Sequence, residues 1–116
     1  TATPLDVSAV VALIHRHGGL AVAAHIDRRA FGVIGQLGLF PTDAGFDGVE
    51  VSRHVAPGSK REAELGGYGL PIIRSSDAHY LDDIGAARTT LHCVEPGFAE
   101  LALALRDEDG RRVGDA

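Results

Sequence analysis

"LPIIRSSDAHY", residues 70–80, is the stretch on which the fold turns. Leu70 to Ile73 form a short apolar run between Gly69 and the pair Ser75-Ser76, the pattern of a buried strand bounded by turn residues. We read the strand over residues 70–76. Asp77 and His79 follow at once, two positions apart. In extended backbone, positions i and i+2 face the same way, about 6.6 Å apart at their α carbons. The chain leaving this strand can therefore turn a carboxylate and an imidazole toward one place, and the small Ala78 between them permits close approach.

Two upstream runs have the same character. "LAVAAH" (20–25) is continuously apolar, and "DGVEVS" (47–52) alternates around two valines. Runs this short and apolar suit strands buried on both faces. Helical stretches separate them. "TPLDVSAVVALIHRHGG" (3–19) places Val7, Val10, Val11 and Ile14 on one face, with Thr3 as the expected cap, Pro4 at the first helical position and Gly18-Gly19 as the stop. "AFGVIGQLGLF" (30–40) reads as a short, weak helix or an ordered loop. "GSKREAELGGYG" (58–69) reads as a charged helix stopped by glycines. Helices alternating with short strands imply parallel pairing. The strands begin at residues 20, 47 and 70, a spacing typical of β/α units.

Beyond residue 80 the pattern predicts a fourth strand, "RTTLHCV" (88–94), and a last helix in "EPGFAELALALRDEDG" (95–110), with Phe98, Leu101 and Leu105 at helical spacing. "RRVGDA" is either a tail or a truncated strand. The expected class is α/β, with alternating β/α units and a parallel sheet. Four such units make about half of a seven- or eight-stranded barrel. Half a barrel has two open edges, which a stable domain must cover or pair.

Composition sets the outer limits. The chain has 116 residues, the size of one domain, and 45% of them are apolar. The formal charge is −5 with basic residues scattered, which argues against a phosphate-tracking nucleic-acid surface. One cysteine, Cys93, excludes an internal disulfide and a thiolate zinc site, and fits a reducing, cytoplasmic setting. The apolar runs are far shorter than a membrane span, and no signal peptide is visible. The chain contains no Met and begins "TATPLD", from which we expect a piece of a longer protein.

In parallel α/β structures, functional groups gather at the carboxyl ends of strands. Here those ends carry His25, then Glu50 and Ser52, then Ser76, Asp77 and His79. Adjacent parallel strands lie about 5 Å apart, so these groups can converge. Imidazole and carboxylate donors suit zinc, manganese or iron. Asp77 and His25 also have ordinary explanations, as a turn or cap residue and as a core histidine, but Glu50 in an apolar strand has no obvious neutral role, because an unpaired buried carboxylate is costly. Three strand ends bearing ligand-type residues together favour a site. "HRH" (15–17) is a decoy, since residues two apart on a helix point about 200° apart. Histidines near a helix C-terminus need only the dipole to explain them. His54 lies in the loop after the second strand and could line the site, while His92 lies within a strand and needs no special role. Arg28, Arg29, Arg53 and Arg74 lie near the same rim, as phosphate holders or as solvated loop charges. No P-loop or nucleophile elbow is present.

"GGLAVAAHID", "DGVEVS" and "LPIIRSSDAHYLDDIG" resemble the C-terminal half of the PHP (polymerase and histidinol phosphatase) superfamily. The resemblance implies that residues 1–116 are the C-terminal portion of a distorted (β/α)7 barrel. Such domains hold up to three divalent metal ions and hydrolyse phosphate esters. By match, His25, Asp77 and His79 take the places of metal ligands, with Asp77 and His79 acting in catalysis through the metal. Glu50 matches a recurrent residue near the site. The opening HxH strand, further histidines and a bridging Glu of that family are absent, and Ile26 stands where a proline is usual. The implied partners are a phosphate-ester small molecule or nucleotide and the N-terminal half of the same domain, with a homodimer through open sheet edges as a further option. The isolated chain is expected to bind metal weakly or not at all and to show little activity. The alternative expectation is a non-catalytic, PHP-associated module serving structure or interaction. A third is another metal hydrolase barrel, such as an amidohydrolase.

Overall fold

The computed structural model describes residues 2–114. In chain order the elements are α1 (Val7–Arg16), β1 (Val22–Ala23), α2 (Val33–Leu37), β2 (Gly48–Val51), α3 (Lys60–Leu65), β3 (Ile72–Arg74), β4 (Leu91–His92), α4 (Phe98–Arg106) and β5 (Arg112–Val113). Two 3₁₀ turns, Gly66–Tyr68 and Leu81–Asp83, flank β3. The first three strands form one parallel sheet in the order β1-β2-β3. Val22 and Ala23 lie opposite Gly48 and Val49, and Val49, Glu50 and Val51 lie opposite Ile72, Ile73 and Arg74.

The sheet forms where the apolar runs predict it because its central strand is fully buried. Val49 and Val51 have no exposed surface. Around them pack Ala23, Ile26, Phe40, Val55 and Leu65, with Phe46, Tyr68 and Ile72 at the margin. Phe40 stacks on Tyr68 at 4.3 Å and meets Phe46 at 5.8 Å between ring centroids, within the range in which aromatic pairs attract. This core fixes β2, and β2 positions the strands on either side of it.

Two expectations fail. Helix α1 starts at Val7, and its cap is Asp6, whose carboxylate accepts from Ala9 N at 2.8 Å. Thr3 Oγ1 instead accepts from Leu5 N at 3.3 Å, before the helix begins. The expected fourth parallel strand is also absent. Leu91–His92 pairs antiparallel with Arg112–Val113 in a separate two-stranded sheet beside α4. Just before it, the Thr89 hydroxyl accepts from Arg74 N and donates to Arg74 O, each at 2.7 Å. That side chain takes the polar groups at the outer edge of β3 where a fourth strand would have bonded. "RRVGDA" resolves into strand β5 followed by Gly114, with Asp115 and Ala116 outside the described residues. No described helix is long and apolar enough to cross a membrane.

Candidate functional site

The carboxyl ends of β1, β2 and β3 open on one side of the sheet. After β1 the chain turns at once, and His25 takes a left-handed φ of 28°. Glu50 fixes that turn. Its Oε2 accepts from His25 N at 2.9 Å, and its backbone carbonyl accepts from Ile26 N at 2.9 Å. Glu50 therefore has a structural task that its position in an apolar strand did not suggest: a backbone N–H satisfies the carboxylate.

Asp27 was not among the residues singled out in the sequence, yet it ties the turn after β1 to the end of β2. Its Oδ1 accepts from Ser52 N at 2.7 Å and its Oδ2 from Ser52 Oγ at 2.6 Å. Ser52 is only 6% exposed. Partial burial opposes ionisation of Asp27, but the bonds from Ser52, helped by nearby His25, outweigh it and hold the carboxyl below its ordinary range. The signal in the sequence was a carboxylate in the turn after an apolar strand, with a serine at the end of the neighbouring one.

Beyond β3, Asp77 also adopts a left-handed φ, 49°. Its side chain does not cap the following 3₁₀ turn. It reaches across to the loop after β1, where Arg28 Nη1 donates to Oδ2 at 2.8 Å. His79 Nδ1 lies 2.8 Å from the Asp77 carbonyl. A carbonyl only accepts, so Nδ1 carries a proton, and in the neutral ring Nε2 is then the lone-pair nitrogen, the form in which histidine ligates metals. Ser76 Oγ accepts from Gly85 N at 2.9 Å and holds the loop after β3 closed. Arg53 Nη1 donates to Asp83 Oδ1 at 3.1 Å. That bond, against a smaller effect of burial, keeps the Asp83 carboxyl below its usual range.

A cleft of about 290 Å³ has Arg28, Arg53, Asp77, His79 and Asp83 on its walls beside Ser52, Ser76 and His54, while Asp27 and Glu50 stand outside its lining. His25 is not among the lining residues, although its Nδ1 is buried without a hydrogen-bond partner. The decoy histidines are occupied elsewhere: His15 Nε2 bonds Asp47 Oδ2 at 2.8 Å, and His17 Nδ1 bonds the Leu13 carbonyl at 2.9 Å. Arg74 turns away to Glu62 and the Val55 carbonyl.

Residues 64–109 match a family model described as PHP-associated. The match supports a PHP-superfamily C-terminal region. It includes Asp77 and His79 and leaves out His25 and Glu50. No curated protein and no solved structure matches the chain.

The donors at this rim can be tested against a metal ion. In kind they fit: an unpartnered buried imidazole nitrogen at His25, a lone-pair nitrogen at His79, and a carboxylate at Asp77 already paired with a cation. In number they fall short. Among the described residues, no group of three or more His, Cys, Asp or Glu is placed to hold a metal.

Proposed function

We propose that this chain supplies one side of the active-site rim of a PHP-type, metal-dependent phosphoesterase. The observation that carries the reading is the exit of β3. Asp77 and His79, inside the PHP-associated match, share one cleft with Arg28 and Arg53, which lie outside it. Carboxylate, imidazole and guanidinium are the groups needed to hold a divalent cation next to a phosphate. A zinc, manganese or iron ion bound there would supply Lewis acidity toward phosphoryl oxygens and water. His79 would present Nε2 and Asp77 a carboxylate once Arg28 gives way, whereas His25, the further ligand the resemblance implies, lies outside the cleft with its Nδ1 buried. Glu50 and Asp27 act by positioning, through the His25 amide and through Ser52. The substrate is a phosphate ester of a small molecule or a nucleotide.

The reading also places this chain within a larger barrel, whose N-terminal half brings the missing ligands. Strand β1 is an outer strand, and alongside it runs an apolar groove of about 540 Å³ lined by Val10, Ile14, Val22, Phe31 and Leu37. Phe31 is 85% exposed there. Large apolar side chains exposed beside an open strand suit a surface that another part of the domain covers. The test compares metal content and phosphate-ester hydrolysis of this chain with those of the complete protein that carries it. Metal and activity in the complete protein, both lost in Asp77→Asn, support the proposal. An active protein indifferent to Asp77 would defeat it.

A second reading is favoured by the absence of a three-donor group among the described residues. On that reading the chain is a PHP-associated structural or interaction module. A complete protein in which Asp77→Asn leaves metal content and activity untouched, while truncation before α1 destabilises the remainder, would establish it.

A further inference from the structure

The loop that leaves β3 holds three large apolar side chains in water. Tyr80, Leu81 and Ile84 are 78%, 85% and 69% exposed, and none joins the core cluster. The fold gains nothing by burying them, and large apolar side chains clustered at a surface mark a contact. The loop that carries them is pinned. Asp83 N donates to the Tyr80 carbonyl at 3.0 Å and Ile84 N to the Leu81 carbonyl at 3.2 Å, closing the 3₁₀ turn. Ser76 Oγ accepts from Gly85 N at 2.9 Å at one end, and Arg53 holds Asp83 at 3.1 Å. Of the three side chains, Tyr80 lines the cleft of Asp77 and His79. The rest of that lining is arginine, aspartate, histidine and serine.

We propose that Tyr80 is a platform for an aromatic ring carried by the substrate, so that the ester taken by this cleft is one whose alcohol bears such a ring, rather than a bare sugar or glycerol phosphate. The inference rests on the phosphoesterase reading above and narrows its substrate. The polar walls serve the phosphate end of the molecule. The rest of the ester leaves across the mouth of the cleft, where Tyr80 offers the one large apolar face of the lining. Aromatic rings attract one another in offset stacks, and a nucleobase stacks on an aromatic side chain whatever its hydrogen-bonding edge. A tyrosine supplies this area at small cost in conformational freedom, and here its loop is already fixed. The contact is the same in the ground and transition states, so it lowers KM and leaves kcat unchanged.

Two measurements on the complete protein test this, with Tyr80→Ala and Tyr80→Phe each first shown to be folded by circular dichroism. The first is saturation-transfer NMR with adenosine in EDTA, a probe that has the ring, lacks the phosphate and calls on no metal. Saturation should reach the adenine protons from wild type and Y80F, and should be lost in Y80A. The second compares hydrolysis of adenosine monophosphate with that of ribose 5-phosphate, which lacks the base. The ratio of their kcat/KM values should fall roughly five- to thirty-fold in Y80A, within the range that alanine substitution gives for a stacked base. The change should lie in KM, and Y80F should keep the ratio. Adenine saturation that is absent from wild type, or that survives in Y80A, overturns the proposal. So does a ratio that Y80A leaves unchanged, or a loss that falls on kcat alone. With both esters hydrolysed, these results remove the Tyr80 platform and leave the phosphoesterase reading standing. A complete protein that hydrolyses neither ester removes that reading and the platform with it.

Discussion

Ser52→Ala removes one atom from the centre of the rim, and its cost can be worked from the contacts. Ser52 Oγ donates to Asp27 Oδ2 at 2.6 Å and accepts from His54 N at 3.3 Å. The first is a bond to an ionised group, of the kind that contributes about 1.5–3 kcal/mol. The bond from Ser52 N to Asp27 survives the substitution. S52A should therefore lose about 1.5–3 kcal/mol at pH 7, which for a chain of this size lowers Tm by roughly 5–15 °C. The loss should also depend on pH. The Asp27 carboxyl is held below its ordinary range in the folded chain, so its contribution is fully present above its unfolded pKa of about 3.9 and fades as pH falls through the folded value. Other carboxylates titrate alike in both proteins and cancel in the difference. Below that window only a neutral hydrogen bond remains, and the gap between wild type and S52A should narrow to about 0.5–1.5 kcal/mol. Urea denaturation of both proteins from pH 7 to pH 3 checks this. A deficit under 0.5 kcal/mol at pH 7, or one that does not change with pH, would refute the assignment of Ser52 to an ionised Asp27.

Glu50→Ala should cost about 1.5–3 kcal/mol through the unsatisfied His25 amide, whereas Glu50→Gln keeps an oxygen acceptor and should cost less than half as much. Equal losses by urea denaturation would point away from this bond. Arg74→Ala should cost about 2–3 kcal/mol, because the pair with Glu62 is largely buried, with side chains 14% and 23% exposed. The Glu62 carboxyl is held low first by Gly58 N and next by Arg74. Its stabilising effect is thus present above the ordinary carboxylate pKa and is lost as pH falls, and R74A should unfold with a weaker acid dependence than wild type.

Much of the parallel sheet was legible because three apolar runs had nowhere to go but a core. Val49 and Val51 are buried on the central strand as their alternation around Glu50 requires. Residues 88–94 misled because β-propensity names a strand without naming its partner or direction. Thr89 spends its hydroxyl on the edge of β3, and Leu91–His92 turns back onto Arg112–Val113. Glu50 was noticed as a carboxylate in need of a partner, but that partner is a backbone amide 25 residues away, which no local pattern encodes. Asp27 was passed over for a similar reason. Its partners lie on the next strand, and the fold alone brings Ser52 to it. The neighbourhood of Asp77, His79, Arg28 and Arg53 followed from strand ends, but Arg74 turns to Glu62 and His25 stays outside the cleft, and the pairing of Arg28 with Asp77 needed the structure.

The most direct test of the central claim is anomalous diffraction from crystals of the complete protein grown with zinc or manganese. The account predicts an anomalous peak within about 2.0–2.2 Å of His79 Nε2 and an Asp77 carboxylate oxygen, with Arg28 turned away from Asp77. A metal bound elsewhere, with the Arg28–Asp77 pair intact beneath a vacant His79, would contradict it.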